Sequence, residues 1–174
     1  ITWLAFNTKS KPTSDKRVRQ AIAYAVDRNF LVNAVMMGTS QPAYTGFHPG
    51  SVFHDPNVER YDLDLDKANT ILDEAGYARG SDGMRFKLNI DFGWPAARSM
   101  AEYVKPQLKK IGIDVTVRQS PDFPSWAKRI STWEFDMTVD VVFNWGDPVI
   151  GVHRTYLCNL SLIHISEPTR PVPI

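Results

Sequence analysis

Residues 84–92 read Met-Arg-Phe-Lys-Leu-Asn-Ile-Asp-Phe, and residues 111–117 read Ile-Gly-Ile-Asp-Val-Thr-Val. Apolar and polar residues alternate in both stretches, and this period of two predicts β-strands, the first of them with one face buried. Between them, Pro95 suits the first turn of a helix. Apolar residues then recur at helical spacing: Ala97, Met100, Ala101, Val104 and Leu108. A strand, a helix and a strand in succession indicate an α/β layered fold.

The alternation of strands and helices extends to both sides of this unit. On the N-terminal side we predict a strand over 1–7, then a helix capped by Asp15. A short helix follows, capped by Asp27 and ended by Gly38. After an irregular connection over 39–63, we predict a helix capped by Asp64 and ended by Gly76. On the C-terminal side we predict a helix over 122–132 and a strand over 135–143. The predicted fold class is α/β, a mixed sheet flanked by helices.

The composition is that of an ordinary globular protein, with 174 residues, 43% hydrophobic and 22% charged. The net charge of +1 gives no general reason to expect nucleic acid or an anionic membrane as a partner. No stretch approaches the roughly 20 apolar residues that span a bilayer. The single cysteine, Cys158, excludes an internal disulfide and a cysteine-ligated zinc site.

The loop after the last predicted strand contains the candidate ligand-binding residues Asn144, Trp145, Gly146 and Asp147. Ligands of open α/β sheets bind at the carboxyl ends of the strands. Asp147 would pair with a ligand ammonium group, and Trp145 would pack on an apolar or planar group. The alternative is a plain turn, because Gly-Asp-Pro is common in turns, and the local pattern alone favours the turn.

Other clusters give weaker signals. The spacing of His48, His54 and Asp55 matches no common metal motif, so we predict neither a metal site nor a cofactor. The basic residues near the first helix are interpreted as a solvated surface without nucleic-acid function: Lys9, Lys11, Lys16, Arg17 and Arg19. The tryptophans at 3, 94, 126 and 133 are interpreted as core or surface residues. G-x-S-x-G, H-E-x-x-H and glycine-rich phosphate motifs are absent from the sequence, which argues against an enzyme.

Residues 15–28, Asp-Lys-Arg-Val-Arg-Gln-Ala-Ile-Ala-Tyr-Ala-Val-Asp-Arg, resemble a helix of the extracytoplasmic solute-binding proteins of the peptide/nickel class, family 5, which serve ABC importers. Further segments resemble the same family in the same order: 4–9, 64–68, 74–77, 108–115 and 135–137. The resemblance covers nearly everything from residue 1 to about 159. It implies a lobe of the type II periplasmic-binding-protein fold, in a two-lobed receptor that closes on its ligand by a hinge.

The resemblance also implies a function. Residues 1–159 would be an internal fragment that supplies most of the C-terminal lobe, with the signal segment missing, in a periplasmic or membrane-anchored extracytoplasmic protein. Its partners would be a small solute, a peptide by preference, and an ABC permease in the membrane. In peptide-binding relatives an acidic residue just after the last strand pairs with the ligand's α-amino group, and Asp147 best matches that position.

One departure from the family pattern concerns the ligand. Relatives that bind dipeptides use an arginine before the helix that follows the strand over 84–92, and here no arginine occurs until Arg98. This puts a carboxylate clamp for short peptides in doubt. Since the family also takes nickel complexes, opines and oligosaccharides, the identity of the ligand stays open.

The C-terminal residues 160–170, Leu-Ser-Leu-Ile-His-Ile-Ser-Glu-Pro-Thr-Arg, resemble a translated sequencing adapter, which predicts a non-native tail over 160–174.

Two alternatives to a transport receptor stay open. The first alternative is a stand-alone α/β hydrolase that uses Asp147 with His153. The other is a peptide-sensing receptor on the same fold that works without an importer.

Overall fold

The computed structural model describes residues 1–141 and has an α/β architecture. Its strands are β1 (Thr2–Phe6), β2 (Phe86–Phe92), β3 (Ile113–Gln119) and β4 (Met137–Val141). Its helices are α1 (Lys16–Ala25), α2 (Arg28–Phe30), α3 (Leu65–Glu74), α4 (Arg98–Lys110) and α5 (Phe123–Ser131). A π-helical turn over Leu31–Val35 continues α2, and a 3-10 turn over Pro95–Ala97 precedes α4. The predicted order of strands and helices is confirmed.

The strands form one mixed sheet in the order β1-β4-β2-β3. Strand β2 runs parallel to both β3 and β4, whereas β1 is antiparallel to β4, with Thr2 opposite Val141. The carboxyl ends of β2, β3 and β4 therefore lie beside the amino end of β1. We call this side of the sheet the carboxyl edge, and it is where open α/β sheets bind their ligands.

Aspartates begin four of the five helices, and three of these caps, Asp15, Asp27 and Asp64, are predicted from the sequence; α4 follows Ala97, whose side chain makes no cap. The Asp15, Asp27, Asp64 and Asp122 side chains each accept a hydrogen bond from a backbone N–H in the first turn of the helix that follows. Each bond satisfies a donor that the helix itself leaves unpaired, and replacing such a cap by alanine typically costs about 1 kcal/mol. After α3, Gly76 has φ +86°, the left-handed conformation that favours glycine at a helix end.

One face of the sheet packs against helices and forms the main core. Fully buried side chains from the strands include Leu88, Ile90, Ile113, Met137 and Val139. Side chains from α1, α3 and α4 meet them in one cluster: Val18, Ile22, Ala68, Leu72, Val104 and Leu108. Burying one such aliphatic side chain contributes roughly 1.5–3 kcal/mol, so this layer supplies most of the driving force for folding.

The opposite face is covered only toward the carboxyl ends of β2 and β4, which corrects in part the expectation of a single buried face for β2. Nearer the beginning of β2, the Lys87 side chain is 84% exposed. Asp91 of β2 is 0% exposed and Thr138 of β4 is 2% exposed. Helix α5 lies on this face, where Trp126, Ile130 and Phe135 form a second, smaller core. The alternation of apolar and polar residues marks the two faces correctly, but it does not reveal that α5 buries the carboxyl-terminal part of the polar face.

Residues 39–63 contain neither helix nor strand, as predicted. Arg28 anchors the end of this connection by donating a hydrogen bond to the Tyr61 carbonyl oxygen, and its guanidinium also faces the Tyr44 ring. Burial lowers the pKa of Arg28 from its usual value. Among the helices of residues 1–141, none has the length and apolar character needed to cross a membrane.

Candidate functional site at the carboxyl edge

The carboxyl edge consists of the residues that follow the parallel strands. Strand β2 continues into Gly93 and Trp94, and β3 continues into Ser120, whose backbone N–H donates to the Phe92 carbonyl oxygen at 3.0 Å. Strand β4 ends at Val141, the last described residue. The predicted site residues, Asn144, Trp145, Gly146 and Asp147, lie outside the described residues, so their role stays a prediction.

Three aromatic rings meet at this edge, and we call them the aromatic cluster: Trp94, Phe123 and Trp126. The Trp94 and Trp126 ring centroids are 5.4 Å apart in an edge-on arrangement, and those of Phe123 and Trp126 are 5.3 Å apart. Trp126 is buried, Trp94 is half-buried, and Phe123 is 58% exposed. The cluster therefore presents an apolar, planar surface that packs against the buried indole of Trp126.

Local sequence explains how the cluster forms. Asp122 accepts a hydrogen bond from the Ser125 backbone N–H at 2.7 Å and so begins α5. Hydrogen bonds from Ser125 hold the pKa of Asp122 below its usual value. Phe123 and Trp126 then fall in the first turn of α5. At Gly93, a β-carbon would lie only 2.7 Å from Trp126 Cγ, so a residue without a side chain is required for the indole to pack on the end of β2.

A buried carboxylate lies next to the cluster on the same face of the sheet. Asp91 accepts a hydrogen bond from Arg118 Nη2 at 2.6 Å and another from Arg129 Nη1 at 2.5 Å. Both arginine side chains keep about a third of their surface in water, at 35% and 29% exposed. This group joins β2 and β3 to α5. It is a charge-assisted pair of contacts in which two cations face one carboxylate.

Arg98, the first arginine after β2, takes no part in this group. It begins α4, is 64% exposed, and lies 4.0 Å from the Glu102 carboxylate. No arginine lies between the end of β2 and Arg98, the stretch where the family resemblance would place a carboxylate clamp.

A cavity of about 630 Å³ opens beside β1, and its volume falls within the range of small-molecule sites. Its walls come from the first strand, the helical turns after α1, the loop over 38–43 and α4. The apolar part of the lining includes Leu4, Val26, Leu31, Val32, Met36, Pro42, Met100 and Val104. The polar part includes Arg28, Thr39, Ser40, Gln41 and His48. Because Thr2 pairs with Val141, the cavity lies near the carboxyl edge.

The histidines of the long connection make local contacts. His48 Nδ1 accepts a hydrogen bond from the Gly50 N–H at 3.0 Å, and His54 Nδ1 lies 3.2 Å from Thr45 Oγ1. Within residues 1–141, no group of three or more histidine, cysteine, aspartate or glutamate side chains is placed to hold a metal ion. The structure thus does not assemble His48, His54 and Asp55 into a metal centre.

The basic cluster near α1 contributes to the fold. Arg19 is buried and donates to the Thr13 and Ser14 carbonyl oxygens at 2.8 and 3.0 Å, so its interpretation as a solvated residue is wrong. The Lys9 ammonium lies 3.9 Å from the centre of the Trp133 ring. Arg17 pairs with Asp15 at 2.8 Å, and this contact lowers the pKa of the Asp15 carboxyl.

Sequence reasoning missed the aromatic cluster. It treated Trp94 and Trp126 as ordinary core or surface residues. A signal was nevertheless present, since Gly93 directly follows a buried strand, where a glycine marks a close approach of another group. Nothing in the sequence shows which ring would make that approach.

The sequence profile of a family described as "Bacterial extracellular solute-binding proteins, family 5 Middle" matches residues 1–159. Di/tripeptide-binding protein 3 of Pseudomonas aeruginosa is 29% identical over 164 residues, which cover 91% of this chain and 30% of that protein. The chain thus spans about 30% of the length of this curated relative.

Solved structures of binding proteins also match this chain. The periplasmic binding protein DppA from Helicobacter pylori, in complex with the peptide STSA, matches with a TM-score of 0.76 and 28% identity, over 84% of this chain and 28% of that one. NikA from Brucella suis, in complex with Fe(III)-EDTA, matches with a TM-score of 0.77 and 29% identity, over 98% of this chain and 34% of that one.

Proposed function

The chain belongs to the bacterial extracellular solute-binding proteins of family 5, and from this premise we propose that it forms the C-terminal lobe of a receptor for an ABC importer. The receptor captures a small solute, a peptide by preference, between two lobes and delivers it unchanged to a membrane permease. Proteins of this family bind solutes and are not enzymes. We assign the lobe to residues 1–159 and propose that 160–174 is a non-native tail.

The observation that carries this proposal is the family match over residues 1–159, which spans every described element. The fold adds physical support, because an aromatic surface lies at the carboxyl edge after β2 and a cavity lies beside the amino end of β1. Closure of a second lobe over this edge would exclude water and strengthen polar contacts to the solute. The solute stabilises the closed form because it binds that form more tightly, and the permease then recognises the closed form.

Peptides are the preferred solute class. The Pseudomonas relative is named for di- and tripeptides and the Helicobacter structure contains a peptide, whereas the Brucella structure contains a metal chelate. We propose that Asp147 pairs with the peptide α-amino group, and that Asn144, Trp145 and Gly146 line the same site. The aromatic cluster would contact apolar or planar side chains of the peptide.

We also propose an extracytoplasmic location, in the periplasm or anchored to the outer face of a membrane. The family is described as extracellular, and the similar Helicobacter protein as a periplasmic binding protein. A solute captured outside the membrane requires a permease for entry, which agrees with the proposed partner.

Calorimetry on the full-length protein that contains residues 1–159 tests the proposal. The probes are the tetrapeptide Ser-Thr-Ser-Ala, its N-acetylated form and Fe(III)-EDTA. We expect saturable binding of the free peptide. Asp147→Asn should weaken that binding by about 10- to 100-fold, because a hydrogen bond to a charged group contributes about 1.5–3 kcal/mol.

The acetylated peptide is the matched control, since it lacks the ammonium group and should bind the wild type and Asp147→Asn equally. Absence of saturable binding of Ser-Thr-Ser-Ala would remove the peptide assignment. Cleavage of the peptide during incubation, detected by mass spectrometry, would favour the hydrolase alternative and contradict the proposal.

A further inference from the structure

We propose that Thr138 is a positioning residue for the aromatic cluster, and that through it the receptor selects solutes with a planar or apolar side chain. Its hydroxyl group links the Trp126 indole to the backbone of β2. The consequence for selectivity rests on the proposed function, whereas the positioning itself depends only on contacts within residues 1–141.

The Thr138 hydroxyl uses its donor and an acceptor position in two well-formed hydrogen bonds. It accepts from Trp126 Nε1 at 2.8 Å and donates to the Asp91 carbonyl oxygen at 2.9 Å. Thr138 is 2% exposed and Trp126 is 6% exposed, so water does not compete for either bond. A buried indole N–H that loses its acceptor is left unpaired at a substantial cost, and this restricts the ring to the place where Thr138 can reach it.

The far end of this link is rigid. The Asp91 carbonyl belongs to β2, which pairs with β3 on one side and β4 on the other. The Asp91 carboxylate is held by Arg118 of β3 and Arg129 of α5. Helix α5 is therefore attached to the sheet at two places, by an ion pair near its end and by the indole of Trp126 near its beginning.

The position of Trp126 determines the surface that solute meets. Trp94 and Phe123 each pack against the Trp126 ring, with centroids 5.4 and 5.3 Å away. Gly93 lies so close to that ring that a small displacement would bring it into collision or open a gap. A ring that is displaced or free to rotate would change the arrangement of both neighbours.

An aromatic surface discriminates by the shape of the group that packs on it. Offset-stacked and edge-to-face pairs require a defined distance and tilt, and each contributes free energy beyond the burial of area. Peptides with an aromatic side chain should therefore depend on the position of Trp126, whereas peptides with only small side chains should not.

The test compares Thr138→Val with Thr138→Ser in the full-length protein. Valine has nearly the shape of threonine but lacks the hydroxyl, and serine keeps the hydroxyl. The first measurement is the indole N–H resonance of Trp126 in protein labelled with ¹⁵N-tryptophan, assigned with Trp126→Phe. We expect Thr138→Val to shift this resonance and accelerate its exchange with solvent, and Thr138→Ser to leave it near the wild-type position.

The second measurement is the affinity for two probe peptides, Ser-Thr-Ser-Ala and Ser-Trp-Ser-Ala. We expect Thr138→Val to weaken binding of Ser-Trp-Ser-Ala by about fivefold, the factor that corresponds to one ordinary hydrogen bond, and to leave Ser-Thr-Ser-Ala within about twofold. Thr138→Ser should bind both like the wild type. The inference is overturned if Thr138→Val leaves the resonance unchanged, or if both peptides, or both variants, lose affinity equally.

Trp126→Phe provides a second route if Thr138→Val does not fold. It removes the N–H donor and keeps a ring at the position, so Ser-Trp-Ser-Ala should again be weakened selectively, and full wild-type affinity would overturn the inference. If the wild-type protein binds neither peptide, the peptide function fails, and the Trp126 resonance in the Thr138 variants still decides the positioning role.

Discussion

Replacement of Gly93 by alanine probes the closest approach at the carboxyl edge. The new β-carbon would lie 2.7 Å from Trp126 Cγ and 2.9 Å from Trp126 Cβ, both shorter than any ordinary contact. The Trp126 Cβ atom moves only if α5 moves, and Cγ moves only if α5 moves or the buried indole rotates about its Cα–Cβ bond. Overpacking of this kind costs about 1–3 kcal/mol.

An opposing effect reduces this cost. Gly93 has no left-handed backbone conformation, so alanine can adopt its φ and ψ, and the loss of chain entropy in the unfolded state stabilises the variant by about 0.4–1 kcal/mol. We therefore expect Gly93→Ala to lower the free energy of unfolding by about 1–2 kcal/mol. Urea unfolding of the full-length protein, followed by circular dichroism, measures the change.

Two controls separate the steric clash from other effects. Trp126→Ala removes the ring atoms at 2.7 and 3.0 Å, so in that background Gly93→Ala should cost about 1 kcal/mol less. Gly50→Ala, whose β-carbon would meet only the His48 ring at 3.3 Å in an exposed loop, should change stability by less than about 0.5 kcal/mol. Equal costs of Gly93→Ala in both backgrounds, or no cost at all, would refute the steric argument.

Two further predictions concern charged groups, and both are checked by urea unfolding of the full-length protein. Asp91→Asn should destabilise the protein by about 2–3 kcal/mol, less than for a fully buried pair because Arg118 and Arg129 remain partly hydrated. The control is Asp114→Asn, which loses only an exposed contact to Lys87 at 3.9 Å and should cost less than about 0.5 kcal/mol. Equal effects of the two substitutions would count against the argument. Because folding lowers the pKa of Asp122, the carboxylate's contribution to stability is present above the unfolded pKa of 3.8 and is lost as the pH falls through the folded pKa. Asp122→Asn still caps α5 but does not titrate there, so this variant should lose less stability than wild type between about pH 4 and pH 2. An unchanged pH dependence would show that the cap does not titrate.

Local patterns were sufficient for most of the secondary structure. Asp15, Asp27, Asp64 and Asp122 each have a side chain that bonds backbone donors within a few residues, so a helix start is visible in the sequence alone. The alternation over 84–92 likewise reports the pleat of a strand, whatever surrounds it. The family could be identified for a related reason, because its segments occur along the chain in a recognisable order.

The sequence places the candidate site in the loop after the last strand, at residues 144–147, which lie outside the described residues, so this place stays a prediction. Chain order alone puts polar and aromatic residues after buried strands, and parallel strands bring those residues to one edge. The contacts that individual side chains make could not be predicted in the same way. Arg19 reads as a solvated residue in the sequence, yet it is buried because carbonyl groups of the preceding turn accept its hydrogen bonds.

The sequence by itself thus determined the elements, their order and the family, because each depends on residues close together in the chain. Only the tertiary structure decided that α5 covers the carboxyl-terminal part of the polar face of the sheet, that Asp91 meets two arginines there, and that Thr138 holds the indole of Trp126. The pairing of Thr138 with the Asp91 carbonyl oxygen joins residues 47 positions apart. Contacts of this kind follow from the packing of whole elements, which no local pattern encodes.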